Sequence, residues 1–397
     1  MNKHTTTVTS KSIEQSGLPN DYKKAIAEYI WNGFDAGATT VGLNFESNEL
    51  GFLTSFSISD DGNGIDPNKI DKTFGNFLDS NKLDPFNKNI FQKGRKGKGR
   101  FAFNIFANNC KWETKFRASN DKVFAYDIVI ENGNLQYFGL EDTKTIKSVI
   151  TGTTVIFSDC FNLSSFSLSN NEFKDFLLCE FGWFLFLNRD LDYKILINGS
   201  ALGYDEIIGD SAEEDHQTGD DVFKIIFIRW NQKIGDKYYH YFIGDNRRKA
   251  AKKHTSFNNK AIDFHHSVYI KSAFFNNFNE TADDSPVLEF SGTNQSHPSY
   301  KSLLKRLGDL IFEKEKHYVR DIAADRLIQD YQDRKVLPEN KVKADILEDV
   351  IKEIYCADPR LFQTSNIQQN KMLVGLLNLI VATGYGDNLI EIIENVI

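Results

Sequence analysis

Apolar residues recur at helical spacing at Ile26, Ile30 and Phe34, and the turn Leu18-Pro19-Asn20-Asp21 ahead of them supplies a helix start. The pattern predicts a helix over 22–36, ended by Gly37. The period then changes to two around 39–45 and 52–59, which predicts two strands joined by the turn Ser47-Asn48-Glu49. From Gly62 to Gly99 apolar residues thin out among Gly, Asn, Asp and Lys. That stretch is too long for an ordinary connection and predicts a functional lid. Strand-like runs resume at 111–116, 124–130 and 153–157, and a helical run follows over 172–187.

The segment 205–221 carries eight acidic residues and predicts a solvated linker. Beyond it, 222–230, 238–243 and 266–275 read as strands of a second α/β domain, and Leu303, Leu304, Leu307 and Ile311 begin a helical pattern that runs to the end. The expected division is therefore 1–204, an acidic linker 205–221, a second domain 222–298 and a helical region 299–397. The amphipathic pattern around Leu389 to Val396 reaches Ile397 with no cap, which suggests that the helical region continues in a longer protein.

Composition narrows the class. With 41% hydrophobic and 26% charged residues over 397 positions, the chain is a soluble globular protein with room for several cores. Its 33 Phe against 2 Met predict an aromatic core filling. The four cysteines have no metal-ligand spacing and no signal peptide is evident, so a reducing cytoplasm is expected, with no membrane partner. A net charge of −8 confines any nucleic-acid contact to a local basic patch.

Four stretches carry chemistry. At 100° per residue, Glu28, Asn32 and Asp35 fall within about 60° of each other, opposite Ile26, Ile30 and Phe34. The structural alternative is a solvated face of an amphipathic helix. Next, a predicted strand runs into Asp60-Asp61-Gly62-Asn63-Gly64-Ile65, delivering a carboxylate to its end. Such a carboxylate can accept from an exocyclic amine, and the glycines let backbone approach a flat ring. The rivals are a plain turn and a calcium loop, which lacks its twelfth-position Glu. Third, Lys93 to Arg100 packs five cations and three glycines into eight residues, an anion cradle or a nucleic-acid patch. It is not a Walker A loop. The fourth is Gly152-Thr153 at a strand start.

In order and spacing these stretches resemble the ATPase motifs of the gyrase, heat-shock chaperone, histidine kinase and MutL (GHKL) family: E-x-x-x-N-x-x-D-A, D-x-G-x-G-I, a G-x-x-G-x-G lid and a late G-T. The resemblance covers about residues 18–200. It implies an α+β protein with an N-terminal Bergerat-type ATP-binding α/β sandwich. It further implies ATP and Mg2+ as ligands, Glu28 as the residue that activates water, and Asn32 as the magnesium ligand beside Asp35. Asp60, Gly62, Gly64 and Ile65 would take adenine with Thr153 in support. Gly94, Lys96, Gly97, Lys98, Gly99, Arg100 and Phe101 would wrap the phosphates, with Lys82 as a further lid position. Two positions depart from the family: Trp31 stands where many relatives have Asp, and Lys98 replaces a commonly apolar lid residue.

The second domain resembles the transducer (ribosomal S5-like) domain of the gyrase, MutL and MORC branches. There a basic residue reaches the γ-phosphate, and the run Arg247 to Lys253 offers Lys252 and Lys253, with Lys271 and Lys301 as rivals. The structural alternative for the run is a solvated loop. The resemblance implies ATP hydrolysis that drives conformational change and an ATP-dependent homodimer, for which the polar segment Met1 to Ser16 suits an exchanged arm. DNA transactions and phage defence are compatible settings, with DNA or protein as partner. Two rivals stand beside this reading: an ATP-sensing module without hydrolysis, and a histidine kinase, which needs a phosphoacceptor helix ahead of Glu28 where the chain offers only His4.

Overall fold

The computed structural model describes residues 9–14, 17–71, 74, 99–235, 237–245, 249–257, 262–279, 293–338, 344–363 and 366–384. The chain is α+β and forms two compact units, the first comprising 1–209 with 231–235 and 243–249, the second 210–230, 236–242 and 250–397.

The first unit opens with α1 (Ser10–Glu14), α2 (Tyr22–Asp35), β1 (Thr40–Ser47) and β2 (Leu53–Asp60). It continues with β3 (Ala107–Arg117), β4 (Val123–Glu131), β5 (Gly139–Leu140), β6 (Lys144–Ile146) and β7 (Gly152–Cys160). The helices α3 (Ser165–Ser169) and α4 (Asn171–Leu187) then lead to β8 (Lys194–Ile197) and β9 (Ser200–Ala201). The nine strands make one sheet in the order β5-β4-β3-β7-β2-β1-β8-β9, with β6 also on β4. Its pairs are antiparallel except β1 with β8.

α2 is started by Asp21, whose carboxylate accepts from the Lys23 amide at 2.9 Å. Two ring clusters then hold it. Tyr29 meets Phe157 of the sheet edge-on at 5.0 Å, while Trp31 lies 4.8 Å from Phe181 and Phe34 lies 4.8 Å from Phe184, both on α4. The Phe excess is spent here, in interlocked rings that add about 0.5–1.5 kcal/mol per pair beyond their burial.

The second unit carries the sheet of β10 (Ile208–Thr218), β11 (Asp221–Trp230), β12 (Tyr239–Ile243), β13 (Lys249–His254) and β14 (His266–Lys271), in the order β10-β11-β14-β12-β13. The helices α5 (Pro298–Tyr318), α6 (Ala324–Asp333), α7 (Ala344–Ala357), α8 (Arg360–Gln363) and α9 (Ile367–Ala382) follow. Phe223, Phe227 and Phe242 of the sheet share one core with Leu303 and Leu307 of α5, Val350 of α7 and Val374 of α9. The regions expected as separate at 222–298 and 299–397 thus pack as a single unit.

Two expectations differ from what is observed. The acidic stretch 205–221 is not a linker: most of it is β10. Its charges are held by distant cations, Glu213 by Lys224 at 2.9 Å, Glu214 by Arg306 at 2.7 Å and Asp210 by Lys314 at 3.0 Å. The basic run is not a loop throughout, because Lys249 to Lys253 lie in β13, while Arg247 and Arg248 are outside the described residues. Within the polar arm, Ser10 to Glu14 form α1 on their own chain, with Ile13 buried and the Ser10 hydroxyl donating to the Gly133 carbonyl at 3.2 Å and to Gln136.

Candidate functional site

Burial of α2 separates the two readings of its polar residues. Ala25, Ile26, Ala27, Tyr29, Ile30, Trp31, Gly33 and Phe34 are all buried, so the helix has no broad solvated face. Glu28, Asn32 and Asp35 keep partial access on one narrow strip. Trp31 leaves that strip alone: its indole N–H donates to Glu180 Oε1 at 2.7 Å on α4, about 100° round the helix from Asn32.

Gly33 sets how close the helix comes to the strand that carries Asp60. A Cβ there would lie 2.9 Å from Val41 Cγ2 and 3.0 Å from Asp60 Cβ. The Asp60 carboxylate accepts from the amides of Gly62 at 2.9 Å and Thr153 at 3.3 Å. Both bonds fall on Oδ1, and none to Oδ2 is found among the described residues. Burial nevertheless dominates and raises the carboxyl to about 6, against the lowering by the two amides. Neighbouring Asp61 has a different task, because it ties down the amides of Thr39 and Thr40 at 2.8 and 2.9 Å.

The turn after Asp60 depends on its glycines. A Cβ on Gly62 would meet the Ala36 carbonyl oxygen at 2.9 Å, and one on Gly64, at φ +70°, would meet that of Lys115 at 2.1 Å. Ile65 is held at both ends of its peptide: its N–H donates to Thr114 Oγ1 at 2.9 Å, and its carbonyl accepts from the Tyr126 hydroxyl at 2.9 Å.

Gly99–Ile105 form a 3₁₀ turn. A Cβ at Gly99 would stand 2.9 Å from Glu28 Oε2 and 3.5 Å from Asn32 Nδ2, so bare backbone closes over these two side chains. The Tyr29 hydroxyl anchors the turn by donating to the Arg100 carbonyl at 2.9 Å and accepting from the Phe103 amide at 3.2 Å. Arg100 and Phe101, expected at the phosphates, have buried side chains instead. The Arg100 guanidinium lies 4.4 Å from the Phe101 ring and 5.8 Å from that of Phe74, and burial lowers its pKa to about 10. Lys82, Gly94, Lys96, Gly97 and Lys98 lie outside the described residues.

In the second unit Lys252 and Lys253 are exposed on β13, an end strand of its sheet, and the Lys252 ammonium sits 4.3 Å above the Tyr239 ring. Sequence reasoning missed Thr114, Tyr126 and Tyr29, which hold the turn and the lid base without belonging to any motif. Gly152 was noted only as part of a Gly-Thr pair; at φ +139° a Cβ on it would meet the Asp60 carbonyl oxygen at 2.1 Å. Among the described residues there is no cluster of three or more His, Cys, Asp or Glu fit to hold a metal. No described helix is long and apolar enough to cross a membrane.

Comparison with known proteins adds a match to one family profile over part of the chain. Residues 20–148 match the profile of histidine kinase-, DNA gyrase B- and HSP90-like ATPases. No curated protein matches the chain. Among solved structures, the ATPase region of Saccharomyces cerevisiae topoisomerase II is similar at 14% identity, over 63% of this chain and 72% of that one, with a TM-score of 0.38. The same region bound to ICRF-187 (dexrazoxane) matches at 14% identity over 63% and 73%, with a TM-score of 0.37.

Proposed function

We propose that this chain, whose residues 20–148 match the profile of histidine kinase-, DNA gyrase B- and HSP90-like ATPases, binds ATP with magnesium beside α2 and β2 and hydrolyses it. The observation that carries the reading is the junction of Glu28, Asn32 and Gly99. A helix buried along most of its core-facing length keeps a carboxylate and an amide partly accessible, and glycine backbone comes down over both.

Glu28 orients or deprotonates the attacking water, help typically worth about 100- to 10,000-fold. Bound magnesium would neutralise charge on the triphosphate, with the Asn32 amide oxygen as its ligand on the strip. Asp60 takes the exocyclic amine of adenine through Oδ2, and Lys82, Lys96 and Lys98 bring positive charge to the phosphates. Nucleotide-dependent closure into a homodimer, sensed by a transducer-like second unit and used in DNA transactions or phage defence, extends the same reading.

Glu28→Ala tests it. The variant is expected to bind ATP as the parent does and to lose hydrolysis by at least about 100-fold. Hydrolysis at the parent rate would overturn the base assignment, and a parent that binds no ATP would overturn the whole reading.

A further inference from the structure

Asp60, Thr153, Thr114 and Tyr126 are successive cross-strand neighbours on β2, β7, β3 and β4. Direct partners in a sheet put their side chains on the same face, so four polar groups form one row there. The row is sealed. Thr114 is 1% exposed, Thr153 6% and Tyr126 4%.

The bonding along this row has a direction. The Thr114 hydroxyl accepts the Ile65 N–H at 2.9 Å and lies 3.1 Å from the Thr153 hydroxyl, its two partners among the described residues. A threonine hydroxyl has one hydrogen to give, and a buried hydroxyl that gives it to nothing is destabilising. Since the amide is already a donor, and Thr114 at 1% exposed is more enclosed than Thr153 at 6%, we take the Thr114 hydrogen to go to Thr153 Oγ1. Thr153 is thereby set as an acceptor towards Thr114, and its own hydrogen is turned away from β3. Its backbone N–H is meanwhile committed to Asp60 Oδ1.

We infer that Thr114 is a positioning residue that fixes the hydroxyl polarity of Thr153, and so sets the preference of the site for adenine over guanine. The inference rests on the adenine assignment of Asp60 made above. Adenine presents an amine donor beside an acceptor ring nitrogen, which is matched by the Asp60 carboxylate beside a Thr153 O–H donor, directly or through one water. Guanine presents a carbonyl beside a ring N–H. Both of its groups meet the wrong partner as long as Thr114 keeps Thr153 a donor. Without Thr114 the Thr153 hydroxyl can turn, and half of that mismatch disappears.

The test is calorimetric titration of ATP and GTP, each with magnesium, into the parent, Thr114→Val and Thr114→Ser, with hydrolysis measured at saturating ATP. Thr114→Val is expected to weaken ATP binding about tenfold while GTP binding changes much less. Thr114→Ser, which keeps the hydroxyl, should restore the parent preference. Turnover at saturating ATP should stay near the parent, because the row does not touch Glu28. Should Thr114→Val fail to fold, Thr114→Cys takes its place, keeping the volume with a weaker donor and showing the same selective loss in smaller measure. Equal loss for ATP and GTP, or no loss for either, would overturn the inference while parent ATP binding left the adenine assignment standing. A parent that preferred neither nucleotide would overturn both.

Discussion

Gly99 stands so close to Glu28 that a Cβ added to it would lie 2.9 Å from the carboxylate Oε2. The crowded atom is the free end of a flexible side chain, so it would swing aside and the fold would give little. Catalytic geometry is less tolerant, and a displacement of about 1 Å can cost on the order of 100-fold in rate. Gly99→Ala is therefore expected to unfold within a few degrees of the parent while its hydrolysis falls roughly ten- to 100-fold. A thermal melt and a phosphate-release assay on the same preparation check this. A large loss of stability, or full activity, would show that the contact does not place Glu28.

Asp60 gives a pH dependence with a definite sign. Burial raises its carboxyl to about 6, whereas in the unfolded chain it titrates near the ordinary value of about 3.9. Folding thus favours its protonated form. The associated stability is fully present at low pH and is lost as pH rises through about 6. Ligand binding runs the opposite way, because only the ionised carboxylate accepts the adenine amine well. At pH 5 roughly one site in ten is ionised, so the ATP affinity of the parent, divided by that of Asp60→Asn, should fall about tenfold between pH 7 and pH 5. The ratio cancels the titration of ATP itself. A ratio that is flat in pH would remove Asp60 from adenine recognition.

The strip of Glu28, Asn32 and Asp35 was legible because helical periodicity lies within a few residues. The Asp60 turn was legible because its glycines answer a local steric demand, seen at Gly64 against the Lys115 carbonyl. Thr114 and Tyr126 were not. They reach Ile65 only through the register of strands that begin more than forty residues later, and a threonine or tyrosine inside a strand carries no signal of its own. The same limit hid β10: its acidic residues look solvated until Arg306 and Lys314, about a hundred positions on, are brought against it.

The two lysines proposed to sense the γ-phosphate differ in what already holds them. Lys252 lies over the Tyr239 ring at 4.3 Å, an attraction worth about 0.5–1 kcal/mol at an exposed site, which it must give up to reach a phosphate. Lys253 alternates to the other side of β13, where its charge joins burial and His266 in pushing His240 down to about 3. Lys253→Ala is accordingly expected to reduce hydrolysis about tenfold or more, with ADP affinity nearly unchanged, since the charge it would meet exists only on ATP. Lys252→Ala should cost about threefold or less, within the worth of its ring contact. Single-turnover hydrolysis and ADP titration of both variants decide the matter. Loss at Lys252 alone would reverse the order of the two lysines. Turnover unaffected by either would transfer the role to Lys271 on β14 or Lys301 on α5, and the same pair of measurements on Lys271→Ala and Lys301→Ala would then identify it.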